Sequence, residues 1–157
     1  MAKTARRTAP RKPINHGVLT ELVGYGLRRA QAAVFSHFLG SVGKLGVSPG
    51  QFGVLVLIKE NRGLSQSALA KALGIERSTM VAVIDRLESQ GLVQRVTSET
   101  DRRSYALALT PQGAEILARV TPKVRAHERH IAARLSAREK AMLMEMLERV
   151  AGAAGRS

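Results

Sequence analysis

The chain has 157 residues, enough for one domain with a real core and too few for two ordinary ones. Its 25 Lys and Arg against 12 Asp and Glu leave a net charge of +13, and such an excess favours a polyanionic partner through counterion release. The absence of Cys excludes disulfides, thiolate metal sites and thiol switches, and aromatics at 3% with no Trp argue against stacking platforms for single-stranded bases.

Residues 1–13 (MAKTARRTAPRKP) carry five positive charges, no acid and two prolines. They read as a disordered basic arm, either a DNA-backbone or minor-groove arm or a solvated tail that adds only long-range attraction. From Ile14 to Lys44, Leu19, Val23, Leu27, Ala30, Val34 and Phe38 recur at spacings of three and four, which predicts an amphipathic helix weakened at Gly24 and Gly26. Ser48-Pro49-Gly50-Gln51 is a capping box, and the helix it opens carries the apolar run Phe52 to Ile58. That run is the longest uninterrupted apolar stretch, far short of the ~20 residues a membrane-spanning helix needs. No secretory h-region follows the basic N-terminus, so no membrane association and a cytoplasmic location are expected.

Ser65 caps a short helix over Gln66 to Leu73, Gly74 makes a turn, and a second helix follows from Glu76 to Gln90 with Met80, Val83, Ile84 and Leu87 on its core side. Two helices across a short Gly-containing turn are the helix-turn-helix signature. Leu92 to Val96 and Tyr105 to Leu109 have strand character and enclose a polar turn with a basic tip, which reads as a wing. Thr110-Pro111 opens a long helix striped by Leu117, Val120, Val124, His127, Ile131 and Leu135, with Pro122 expected to kink it. Ser136-Ala137-Arg138-Glu139 caps a final helix expected to bury Met142, Leu143, Met146, Leu147 and Val150. The predicted fold is mainly α with a small β-wing.

A recognition helix reads bases with side chains near its N-terminal end. Here Arg77 can pair with guanine or hold a phosphate, and Ser78 and Thr79 can reach either or cap the helix. Val81 and Ala82 can meet thymine methyls, and Ser65 and Gln66 begin a helix suited to a phosphate. His127 and His130 share a helix face but lack the i,i+4 spacing and a third ligand, so no metal is expected. No catalytic constellation, phosphate loop or cofactor motif appears, which argues against an enzyme and against a bound cofactor.

From Ile14 to Ala151 the chain resembles the MarR (multiple antibiotic resistance regulator) family. The likeness is carried by SPGQF before the buried helix, LSQSALAKALGIERSTM through the turn, DRLESQGLV closing the recognition helix, and DRRSYALALTPQG through the wing. It implies a winged helix-turn-helix homodimer with a DNA-binding lobe over 47–109. Dimerisation is then expected from an N-terminal helix over 14–46 and C-terminal helices over 110–157. It also implies that Arg103 of the wing enters the minor groove with Asp101 as its orienting partner, and Arg102 is an additional candidate for the backbone. Many members carry a polar or basic residue at Ala82 and Thr or Ser at Val81, so the reading burden falls more on Arg77, Ser78, Thr79 and the wing. The absence of Cys removes the peroxide-sensing subgroup.

The resemblance further implies a small anionic or aromatic effector that loosens binding to a palindromic double-stranded DNA operator. Candidates for its pocket are Tyr25, Arg28, Arg29, His37 and Phe38 on the first helix, Phe52 on the second, and His127 on the fifth. Arg28 and Arg29 can hold a carboxylate or simply form a solvated face. The cationic excess suits an aromatic carboxylate, a phenol or an acyl-coenzyme A thioester. The expected function is a ligand-responsive transcription repressor, with a non-specific nucleoid-type DNA- or RNA-binding protein as the alternative.

Overall fold

A computed structural model describes residues 14–97 and 105–154. The predicted helix over Ile14 to Lys44 is divided. A 3-10 turn over Gly17–Glu21 precedes helix α1 (Val23–Ser41), and a second 3-10 turn occupies Gly43–Leu45. The break has a local cause: the Asn15 side chain accepts the Gly17 amide at 2.9 Å, and Leu22 is extended (φ −90°, ψ 122°) and cannot continue a helix. Of the predicted stripe on this helix, Phe38 alone is buried. Contacts divide the chain at Ala33 and Val34 into two units, each described by itself below.

In the first unit the Tyr25 hydroxyl lies 2.9 Å from Nδ1 of His16, and the Arg29 guanidinium sits 5.8 Å from the centroid of the Tyr25 ring. The second unit begins within α1 and holds all the remaining elements. These are α2 (Pro49–Glu60), α3 (Gln66–Leu73), α4 (Arg77–Ser89), strands β1 (Val93–Thr97) and β2 (Tyr105–Leu109), α5 (Pro111–Ile131) and α6 (Ala137–Ala154).

The starts of α2, α3, α5 and α6 follow from a side chain that takes up an orphan amide. Ser48 accepts from Gln51 N while Gln51 returns to Ser48 N, which completes the capping box before α2. Ser65 accepts from Ala68 N, Thr110 from Gly113 N, and Ser136 from Glu139 N. Helix α4 differs: Glu76 stands at its N-cap and makes no side-chain cap bond, so neither Ser78 nor Thr79 caps it. The turns between α3 and α4 and after α4 use Gly74 (φ 62°) and Gly91 (φ 69°), left-handed positions that a Cβ disfavours.

The strands pair antiparallel from Val93↔Leu109 to Thr97↔Tyr105. Ser65 bridges Ala106 on the other edge of β2, and Leu107 N donates to Leu64 O at 2.9 Å, so the segment before α3 covers that edge. Beneath the sheet, Leu55, Leu69, Met80, Ile84, Leu87 and Val120 are fully buried and join α2 through α5 in one core. Helix α5 runs unbroken through the exposed Pro122, and the neighbouring Thr121 hydroxyl donates to Leu117 O at 2.7 Å. The expected burial on α6 is absent within one chain: Met142, Leu143, Met146, Leu147 and Val150 are 37–49% exposed. Their stripe is amphipathic, but the core of this chain is already filled by α2 to α5.

Thr110 ties the end of α4 to the start of α5. Its hydroxyl donates to Gly91 O and accepts from Gly113 N, and its amide donates to Leu92 O. Gly113 presses on that same segment, where an added Cβ would stand 1.9 Å from Leu92 O. Gly113→Ala is therefore expected to force the α5–wing junction apart at about 2 kcal/mol or more. Thermal unfolding should register a fall of roughly 5 °C or more, and an unchanged Tm would show that the junction yields freely.

Candidate DNA-binding interface and effector cavity

The first turns of α4 hold their polar side chains outward. Arg77, Ser78, Thr79, Val81 and Ala82 are all exposed, while Met80 and Ile84 anchor the opposite face in the core. Nothing inside the described chain consumes the Ser78 and Thr79 hydroxyls, which leaves them free to meet a ligand. A shallow groove of about 230 Å³ runs between α3 and α4, lined by Gln66, Ser67, Arg77 and Val81, and a second along the same helices adds Lys71. The sequence reading missed Ser67 and Lys71, because nothing in a lone Ser or Lys on a short helix says which side faces the groove. Ser65 is half-buried and its hydroxyl is committed to the cap. Gln66 is half-buried too, and its side-chain oxygen accepts from Arg95 at 3.4 Å. Asp101, Arg102 and Arg103 lie outside the described residues, as does the basic arm over 1–13.

Arg95 on β1 is the joint between the strands and the recognition helix, a role the sequence did not suggest. Its guanidinium donates to Asp85 at 2.7 Å and to Glu88, both on α4, and its amide donates to Glu88 at 3.3 Å. Hydrogen bonding to Asp85, with Glu88 adding to it, holds the guanidinium above its already high ordinary range. Partial exposure keeps the contribution to stability to about 1 kcal/mol. The geometric contribution is larger, because a planar fork that bridges two elements fixes their relative angle. Arg95→Ala is expected to weaken DNA binding several-fold while costing little in Tm. Equal affinity, measured by anisotropy, would show that the strands do not need this tie.

The second cluster lies between α1 and α5, within the second unit. Nδ1 of His37 is 2.7 Å from Nδ1 of His127, which is 4% exposed. The His130 ring stacks on His37 with centroids 4.1 Å apart and planes 5° from parallel, and Phe38 meets His127 edge-on at 5.4 Å. An open cavity of about 310 Å³ beside them is lined by His37, Ser41, Lys123, Ala126, His127 and His130. Partial burial, then the neighbouring His130 and His127, lower the His37 pKa below its ordinary value. The rings stack and bond to one another rather than converge, and among the described residues no group has the geometry to hold a metal ion.

Of the predicted pocket residues, His37 and His127 line this cavity. Phe38 is buried behind them, and Phe52 packs against the core. Tyr25, Arg28 and Arg29 belong to the first unit, where Tyr25 is engaged by His16 and Arg29. Lys123, Ser41 and the inclusion of His130 were not anticipated: 93 residues separate His37 from His130, and no local pattern links them.

Residues 47–105, from the cap of α2 to the start of β2, match the MarR family model. A protein of Thauera aromatica named for transcriptional regulation of the hcr operon is 43% identical over 136 residues, 86% of this chain and 82% of its own. The chain belongs to the MarR family. Among solved structures of the family, the transcriptional repressor CouR bound to a 23-mer DNA duplex is 40% identical, with a TM-score of 0.82 over 89% of this chain and 99% of its own. CouR bound to p-coumaroyl-CoA is 38% identical, with a TM-score of 0.79 over 88% of this chain and 98% of its own. This MarR-family chain is a transcription regulator with the family's winged-helix fold. No helix among the described residues is long and apolar enough to cross a membrane.

Proposed function

We propose that the protein is a homodimeric, ligand-responsive transcription repressor that binds a palindromic operator and is released by a small anionic or aromatic effector. The observation that carries this reading is the outward polar face of α4, tied through Arg95 to the wing strands, on a chain similar to a repressor bound to DNA. Arg77, Ser78, Thr79 and Ala82 meet base edges and phosphates in the major groove, Ser65 and Gln66 approach the backbone, and Arg103, oriented by Asp101, reaches the minor groove beside Arg102. Residues 47–109 form the DNA-binding lobe, and the basic arm over 1–13 adds attraction to phosphates.

Residues 14–46 and 110–157 supply the dimer contact. Its support is the apolar surface left bare in one chain, Val34, Phe35 and Leu39 on α1 and the stripe on α6. A two-fold dimer places two recognition helices about 34 Å apart, one turn of DNA. The effector enters the cavity beside His37 and His127, and its class, an aromatic acid, a phenol or an acyl-CoA thioester, is supported by the p-coumaroyl-CoA that CouR binds.

A titration of palindromic against scrambled duplex as salt is raised separates this reading from a nucleoid-type binder. The non-specific term falls steeply with salt, whereas discrimination between the duplexes persists for a base-reading protein. Affinities that fall together and stay equal would favour the non-specific alternative.

A further inference from the structure

We propose that His37, His127 and His130, with Lys123 beside them, form a proton-coupled receptor for a carboxylate, in which an acid group entering the cavity is held by an imidazole proton taken up from solvent. The inference rests on the effector reading above and adds how that site recognises charge.

The geometry begins with the short contact between His37 and His127. A hydrogen bond from one Nδ1 to the other requires that one nitrogen carry the proton and the other accept it, so the pair cannot be doubly protonated in this arrangement. His130 lies flat on His37 at 4.1 Å, where two imidazolium rings would repel face to face. The groups facing His37 from α5 are Lys123, His127 and His130, and from α1 the lining adds only the Ser41 hydroxyl. Among the described residues no carboxylate lines the cavity, so none of them balances a positive charge within it. Partial burial and these neighbours hold the His37 pKa below its ordinary value.

A carboxylate supplies the missing counter-charge. At hydrogen-bond distance from an imidazole it favours the protonated form, while Lys123 offers a further donor at the rim. Binding and protonation are then linked: the bound anion raises the proton affinity of the cluster, and the proton raises the affinity for the anion by the same factor. Between the free-state midpoint of His37, which lies below the ordinary histidine value, and its higher bound-state midpoint, carboxylate affinity falls about tenfold for each unit of rising pH. A neutral amide of the same shape shows no such slope.

The test is an NMR titration of the four histidine ring signals of the full-length protein between about pH 5 and pH 8.5. It compares excess sodium benzoate with sodium chloride at equal ionic strength. The expected result is an upward shift of at least about half a unit in the cluster midpoints with benzoate, while His16, which lies in the first unit against Tyr25, stays put. His130→Gln should raise the chloride midpoint of His37 toward its ordinary value and shrink the benzoate shift. Cluster midpoints unmoved by benzoate, or moved no more than His16, would overturn the proposal. Release of operator DNA by an aromatic acid or its thioester is measured separately, so the broader repressor reading stands or falls on its own result.

Discussion

Leu143→Glu is expected to leave the protein monomeric and to lower operator affinity by more than about 100-fold, because loss of the second half-site removes the effective-concentration gain of a bivalent contact. Leu143, Met146, Leu147 and Val150 recur at i, i+3, i+4 and i+7 on α6, and all are 37–49% exposed within one chain. Burying such side chains against a second copy contributes about 1.5–3 kcal/mol each, and a carboxylate placed among them must be desolvated without a partner. Leu143 is not part of the single-chain core, so helical content and the unfolding transition of the lobe should change little. Light scattering coupled to gel filtration reads the mass and anisotropy reads the affinity. A variant that stays dimeric would remove α6 from the interface, and a monomer that binds as tightly as the parent would remove the need for a dimer.

Arg103→Ala should have the next largest effect, an affinity loss corresponding to about 1–3 kcal/mol, or roughly 10- to 100-fold, with the dimer intact. The minor groove concentrates negative potential, and an arginine inserted there gains from that field more than a lysine does because its guanidinium sheds water more readily. Arg103→Lys should therefore recover only part of the affinity. The slope of log affinity against log salt should also fall by about one. Affinity within twofold of the parent would show that this wing is not used, and the reading would then rest on α4 alone.

The sequence was most legible where one residue has one local job. Ser48 with Gln51, Ser65, and Ser136 with Glu139 are read as caps, and the hydrogen bonds are there; Thr110-Pro111 is read as a helix start, and Thr110 caps it. Gly74 is read as the turn between the two helices, and its φ is positive. The helix-turn-helix and the paired strands follow from those stops and from the core stripe of α4. Legibility failed where the outcome depends on competition or distance. The first helix starts at Val23 because the backbone turns extended at Leu22, a choice that apolar spacing does not encode. Periodicity found the α6 stripe but could not say whether it packs inside the chain or against another molecule. Arg95 looked like one charge among 25, and its forked contact to Asp85 and Glu88 exists only once β1 lies beside α4. The same holds for His37 and His130, which become neighbours through the packing of α1 on α5.

On the proposed function, one molecule both reads DNA and gives it up to a ligand. The most direct measurement is fluorescence anisotropy on labelled DNA from upstream of the protein's own coding sequence, with scrambled DNA beside it. Aromatic acids and their coenzyme A thioesters are then added in turn to the preformed complex. The expected result is tight binding selective for the upstream duplex and release by one of these compound classes. Equal affinity for both duplexes, unchanged by every compound, would contradict it.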